Sequence, residues 1–188
     1  MSNTIRVLLF ITLLGMFDSC SPSKRITTIT SSSYDKNKNI TTYIVLPYGS
    51  VYIPGKWTET RYNSSSRQQY FKKDSATLSV AIGPAAKIEF NKQGLKGYPL
   101  VKGFYEWESQ YQVNQLHLQV ELLKKDSVTG YYMWRVHSGK VNTFQLFAGV
   151  DCNCATGGGY KTLTLTATGM TNEVLANLLE TIYLQKLK

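Results

Sequence analysis

The chain has 188 residues, 43% of them hydrophobic, and its 21 basic and 12 acidic side chains give a formal net charge of +9. Its length suits one domain, and its apolar content excludes a chain that is disordered throughout. A basic protein can bind nucleic acid, anionic lipid or acidic glycans. The lysines and arginines are spread along the chain, which favours an ordinary solvated basic surface.

Residues 1–19 have the pattern of a secretory signal. One basic residue, Arg6, precedes an apolar run over residues 7–17. A helix over this run rises only about 16 Å, which is about half of the roughly 30 Å hydrocarbon thickness of a bilayer. Such a run is too short to span stably and is typical of a cleaved signal peptide.

The end of this run resembles the lipobox of bacterial lipoproteins, in which small residues precede the cysteine that receives diacylglycerol. The stretch is Phe17-Asp18-Ser19-Cys20; Ser19 and Cys20 match, whereas Phe17 is bulkier than the usual leucine and Asp18 replaces a small residue. The resemblance implies cleavage before Cys20 and lipidation of that cysteine. The membrane is then a partner, at the outer membrane or the periplasmic face of the cell envelope. The alternative is an ordinary secretory signal with an incidental cysteine.

Residues 20–42 are rich in Ser, Thr, Lys and Asn, a composition that cannot bury a core. We therefore expect the lipidated cysteine and a flexible polar tether over 20–42, followed by a single domain over 43–188. An exported protein meets little nucleic acid, so we expect no nucleic-acid partner. A protein or an anionic ligand stays open as a partner.

The domain alternates apolar and polar residues with the period of strands. Strands are predicted over 42–46, 50–53, 68–71 and 77–82, and a C-terminal meander over 116–124, 131–137, 140–150 and 160–168. Helices are predicted over 99–112 and from Thr171, whose side chain is a typical N-cap. The fold class is therefore α+β, with an antiparallel sheet of about six to seven strands and two main helices packed on it.

The order of these elements resembles the Mog1/PsbP-like fold. The opening segment, Val51-Tyr52-Ile53-Pro54-Gly55-Lys56-Trp57, matches the apolar-x-Ile-Pro-x-x-Trp stretch often found at the start of that fold. The resemblance covers nearly the whole domain. It implies a binding or assembly module, and it carries over no catalytic residue and no cofactor.

Cys152 and Cys154 are the most unusual pair in the domain. On an extended chain their Cα atoms lie about 6.5 Å apart, at the upper edge of disulfide geometry. A local disulfide is favoured, and bonds to a partner chain, free thiols and a redox or metal role stay open. A metal site needs three or four ligands, and only His117 and His137 are available besides acids, so no metal site is expected.

No catalytic constellation stands out elsewhere. His117 is expected to face solvent from a strand, and His137 has no recognisable nucleophile near it. Glu106 and Glu108 are two apart on a helix and point to different faces, which disfavours a carboxylate pair. The glycines before Lys161 lead into a strand and not a helix, so they predict a turn and no phosphate site. We expect a non-catalytic binding or assembly module; the alternative is an envelope enzyme or redox protein that uses Cys152 and Cys154.

Overall fold

The computed structural model describes residues 27–152 and 157–186. The predicted signal peptide, Cys20 and Cys154 lie outside the described residues. Within them the chain forms two α-helices and ten strands, arranged in one three-stranded and one seven-stranded antiparallel sheet. The predicted α+β class is confirmed, although the strands divide into two sheets where one was expected.

The three-stranded sheet comprises β1 (Ile29–Asp35), β2 (Ile40–Leu46) and β3 (Gly49–Pro54), in that order. The expectation of a flexible coil up to residue 42 is wrong for β1, which pairs with β2 along all 7 of its residues. β1 is almost wholly exposed. Backbone pairing with β2 therefore holds it, and its polar composition gives no sign of this.

The turn between β1 and β2 is fixed by a carboxylate. Asp35 Oδ1 accepts hydrogen bonds from the backbone N–H groups of Asn37 and Lys38, at 2.9 and 3.1 Å. Asn39 follows with φ of 52°, a left-handed conformation that asparagine tolerates better than most residues. The polar residues that suggested a coil are thus the residues of a hairpin turn.

The seven-stranded sheet joins an N-terminal set of strands to the predicted meander. Its order is β4-β5-β6-β10-β9-β8-β7, so the last strand, β10, pairs with both β9 and β6. β4 was not predicted; it is an edge strand whose residues are all exposed. The strands are β4 (Thr58–Asn63), β5 (Gln68–Lys73), β6 (Ala76–Pro84), β7 (Gln119–Asp126), β8 (Tyr131–His137), β9 (Asn142–Val150) and β10 (Gly159–Ala167).

Both predicted helices are present, as α1 (Gly97–Asn114) and α2 (Asn172–Leu184), and a 3-10 turn spans Ala85–Lys87. The Thr171 hydroxyl accepts a hydrogen bond from the Val174 N–H at 3.3 Å, which confirms the predicted N-cap of α2. No side chain caps the start of α1. Its position depends on packing against the sheet.

The two faces of the seven-stranded sheet are covered differently. The closed face carries Leu78, Leu163 and other aliphatic residues, and α2 and the three-stranded sheet pack on it. The open face carries Trp134 and Phe147, and α1 packs there on β7, β8 and β9. Because α1 stands at one side, it hardly contacts β10, β6 and β5 on the open face.

Candidate functional site

A groove of about 340 Å³ lies between α1 and the uncovered half of the open face. We call it the α1 groove. The helix supplies one wall, the strands β9, β10 and β6 supply the floor, and the loop between β4 and β5 supplies the opposite wall. Its lining residues are Ser65, Ser66, Gln68, Ala81, Ile88, Glu89, Phe104, Trp107, Glu108, Gln145, Tyr160, Thr162 and Thr164.

Stacked aromatic rings form the wall on the α1 side. Phe104 stacks on Phe147 with ring centroids 3.9 Å apart, and Phe147 stacks in turn on Tyr160 at 5.7 Å. Trp107 stacks on Phe90 at 5.9 Å and is still 37% exposed. Phe104 and Trp107 are therefore each held by an aromatic neighbour, and Trp107 stays partly open to a ligand.

Hydroxyl and amide groups form the floor. Alternation along β10 places Thr162 and Thr164 on the open face, opposite the buried Leu163. Across the ladder with β6, Thr162 pairs with Ala81 and Thr164 with Ser79. These short side chains leave room above the sheet and offer groups that both donate and accept hydrogen bonds.

Glu108 lines the groove from α1, and a buried amide holds it. Gln112, 3% exposed, donates from Nε2 to Glu108 Oε1 at 2.9 Å and to Gln145 Oε1 at 3.0 Å. Its own Oε1 has no hydrogen-bond partner within the part of the chain that the structure describes. Burial raises the pKa of Glu108 above its ordinary value, and the hydrogen bond from Gln112 lowers it by less.

The charge of the groove differs in sign from that of the chain. The chain has a net charge of +9, yet the lining contains Glu89 and Glu108 and none of the described lysines or arginines. Arg67 lies near the rim, where its charge partly offsets the rise that burial causes in the pKa of Tyr160.

A glycine sets the distance between α1 and the sheet. A Cβ atom on Gly149 of β9 would lie 3.2 Å from the carbonyl oxygen of Gly97, the first residue of α1. Gly149 does not have a positive φ. Close approach of helix and strand, and not backbone conformation, is therefore the reason for a glycine here.

The residues singled out from the sequence lie away from this groove, with one exception. Glu106 pairs with Lys102 on the surface at 3.6 Å whereas Glu108 enters the groove, so the prediction of different faces is confirmed. His117 is exposed, as predicted, but it precedes β7 with φ of 54°, so its predicted place within the strand is wrong. His137 ends β8 opposite Asn142.

Cys152 is disulfide-bonded, and its side chain packs against the closed-face core. Cys154, the partner that the spacing favours, lies outside the described residues, so that pairing stays a prediction. Lys161 does not take part in a phosphate site, because its Nζ donates a hydrogen bond to the Ser50 carbonyl at 2.8 Å on the closed face. Among residues 27–152 and 157–186, no three or more His, Cys, Asp or Glu side chains group as a metal site.

The groove was not predicted from the sequence. The helical spacing of Phe104, Glu108 and Gln112, four residues apart, was the available signal, because it places an acid and an amide on the apolar side of α1.

Comparisons with known proteins identify no family for the chain. No protein-family model matches it, and no curated protein matches it at a significant level. Neither α1 nor α2 is long and apolar enough to cross a membrane, a finding that covers the described residues alone.

Proposed function

We propose that the protein is a lipid-anchored lipoprotein of the bacterial cell envelope that acts as a non-catalytic binding or assembly module. The α1 groove is its ligand site, and the lipid on Cys20 is its membrane anchor. The groove carries the proposal: a concave site with ring faces, hydroxyls, amides and a carboxylate has the composition of a ligand pocket. The lipobox resemblance supports the anchor.

The build of the groove supports binding without large rearrangement. Its rings stack on partners, and Gln112 ties Glu108 of α1 to Gln145 of β9. A site whose side chains are held before the ligand arrives loses less conformational entropy on binding. This favours a module that recognises a small ligand or a short protruding group.

We also propose that the fold is Mog1/PsbP-like. The order of an opening strand, a hairpin, an aromatic helix, a meander and a closing helix supports it. The opening motif is well anchored: the Trp57 N–H donates to Thr41 Oγ1 at 2.9 Å, and its indole N–H donates to the Pro54 carbonyl at 3.0 Å. Proteins of this fold are mostly binding or assembly modules.

Native mass spectrometry of the full-length protein, extracted in neutral detergent, tests the ligand site. We expect a bound species on the wild-type protein that is lost in Trp107→Ala. Tyr111→Ala is the matched control, because Tyr111 is 48% exposed one helical turn further along α1 and does not line the groove. Equal retention by both variants, or no bound species at all, contradicts the proposal.

The anchor is tested separately by the mass of the mature N-terminus. We expect an acylated Cys20 as the first residue, and we expect Cys20→Ala to leave the membrane fraction. An unacylated terminus at another residue removes the anchor from the proposal and leaves the groove in place.

A second candidate function is an envelope enzyme or redox protein that uses Cys152 and Cys154. The observation in its favour is that Cys152 is disulfide-bonded. If the double variant Cys152→Ser, Cys154→Ser leaves the cellular phenotype unchanged, this candidate is eliminated.

A further inference from the structure

Glu108 is a partly buried acid on α1. Ion pairs join Glu180 to Lys124 at 2.6 Å, Glu121 to Arg135 at 3.5 Å and Glu106 to Lys102 at 3.6 Å. Glu108 has no such cation among the described residues and accepts its hydrogen bond from the neutral amide of Gln112. A partly buried carboxylate without a counter-ion is unfavourable, because one hydrogen bond from a neutral amide replaces only part of the water that its charge has lost.

The groove around Glu108 offers what a cation with an organic body needs. The partly exposed ring of Trp107 and the ring of Phe104 line the groove, and the negative face of an aromatic ring attracts an ammonium group. Thr162, Thr164 and Gln145 can hydrogen-bond the rest of a polar ligand. None of the lining side chains carries a positive charge that would compete for Glu108.

We infer that the α1 groove binds the ammonium group of a small polar ligand, with Glu108 as its counter-ion and Trp107 and Phe104 against its organic body. The inference rests on the proposed function, since it names the ligand chemistry of the same site. It also revises the expectation of an anionic ligand, because an anion in this groove would meet Glu89 and Glu108. The pKa of Glu108, which burial raises, agrees with a carboxylate that lacks a counter-ion in the free protein.

Matched pairs of probes test this chemistry on the full-length protein in neutral detergent. Glucosamine is compared with N-acetylglucosamine, and Nα-acetyl-lysine methylamide with its Nε-acetylated form, because acetylation removes the charge and keeps the body. Binding is followed by the fluorescence of Trp107, against Trp107→Phe as the blank. We expect each ammonium probe to bind about tenfold or more tightly than its acetylated partner. The tighter of the two ammonium probes identifies a sugar or a side-chain source.

Glu108→Gln removes the charge and keeps the shape and the amide contact. We expect it to weaken ammonium binding by about tenfold or more, and to leave the acetylated probes within about twofold. Glu106→Gln is the matched control, because that exposed acid lies two residues earlier on α1 and outside the groove. Cooperative thermal unfolding of both variants within a few degrees of the wild type shows that neither has lost the fold.

The failures can be told apart. Ammonium binding that Glu108→Gln leaves unchanged, or acetylated probes that bind as well as ammonium probes, overturns the inference. If no probe binds while the native species is still lost in Trp107→Ala, the inference fails and the proposed function stands. If no probe binds and no native species is found, both fail.

Discussion

The closed and open faces of the seven-stranded sheet are built from the same strands but differ in composition. On β10, Leu163 and Leu165 are fully buried against α2 and the three-stranded sheet, whereas Thr162 and Thr164 between them face the open side. The closed face buries aliphatic area, which is the main source of stability. The open face carries hydroxyls, amides and an acid where aliphatic packing would have been available.

The two faces can therefore vary independently of each other. A change on the open face alters the groove while the closed face continues to hold the sheet together. The strand period of two makes this division possible, since adjacent residues on β10 belong to different environments. The following substitutions test how complete the division is.

The largest effect is expected from Leu163→Ala on the closed face. It should lower the free energy of unfolding by about 2–5 kcal/mol, because it leaves a cavity in a well-packed core. Thr162→Ala, one residue away on the open face, should change it by less than about 1 kcal/mol. Urea unfolding of the full-length protein measures both free energies. Similar losses at the two positions would show that the two faces do not differ in their contribution to stability.

Lys161 is a partly buried charged residue on the mainly apolar closed face, and Lys161→Met tests what its burial costs. Burial lowers the pKa of Lys161 from 10.5 to about 8. Below pH 8 the amine is charged in both states and the folded state bears the desolvation cost of about 3 kcal/mol. We expect Lys161→Met to raise stability at pH 7 by about 1–2 kcal/mol, because the lost bond to Ser50 offsets part of that cost.

The sign of this effect fixes its pH window. Between pH 8 and 10.5 the unfolded chain still binds the proton that folded Lys161 has released, so the wild type gains stability as pH rises. The advantage of Lys161→Met should therefore shrink through this window. A constant advantage in urea unfolding across the window would show that Lys161 is not desolvated.

A smaller loss is expected from Thr171→Ala, which removes the N-cap of the helix that covers the closed face. The hydroxyl of Thr171 accepts from the Val174 N–H, so its loss should cost about 1 kcal/mol. Thr168→Ala is the control, an exposed threonine outside the helix. Chemical unfolding should give a lower free energy of unfolding for Thr171→Ala than for Thr168→Ala. Equal values would show that the N-cap does not stabilise α2.

The smallest effect is a gain in stability, expected from Glu108→Gln on the α1 side of the groove. Because burial raises the pKa of Glu108, the unfolded chain ionises first as pH rises, and the folded state loses stability through that interval. The variant should therefore gain less than about 1 kcal/mol at pH 7 and nothing at a pH below both pKa values. Glu106→Gln should instead lose up to about 0.5 kcal/mol, with its exposed pair to Lys102. If Glu108→Gln lost as much stability as Glu106→Gln, burial would not be raising the pKa of Glu108.

The closed face was the more predictable of the two. Alternation in β10 and the stripe of Leu175, Leu179 and Ile182 on α2 were visible because burial leaves a periodic trace. β1 and β4 were missed because exposed edge strands leave no such trace. The groove could not be located from the sequence, because its lining residues are far apart along the chain. They are brought together by the pairing of β10 with β6 and by the packing of α1 on the sheet.

The close approach at Gly149 has a consequence for how the groove could change. Helix and strand meet there backbone to backbone, so the size of the side chain at position 149 sets how closely α1 approaches β9. Alanine there would lift the first turn of α1 by a few tenths of an ångström and shift the Phe104 wall relative to the threonine floor. The width of the groove, and with it the size of ligand admitted, is thus adjustable from a position that no ligand touches.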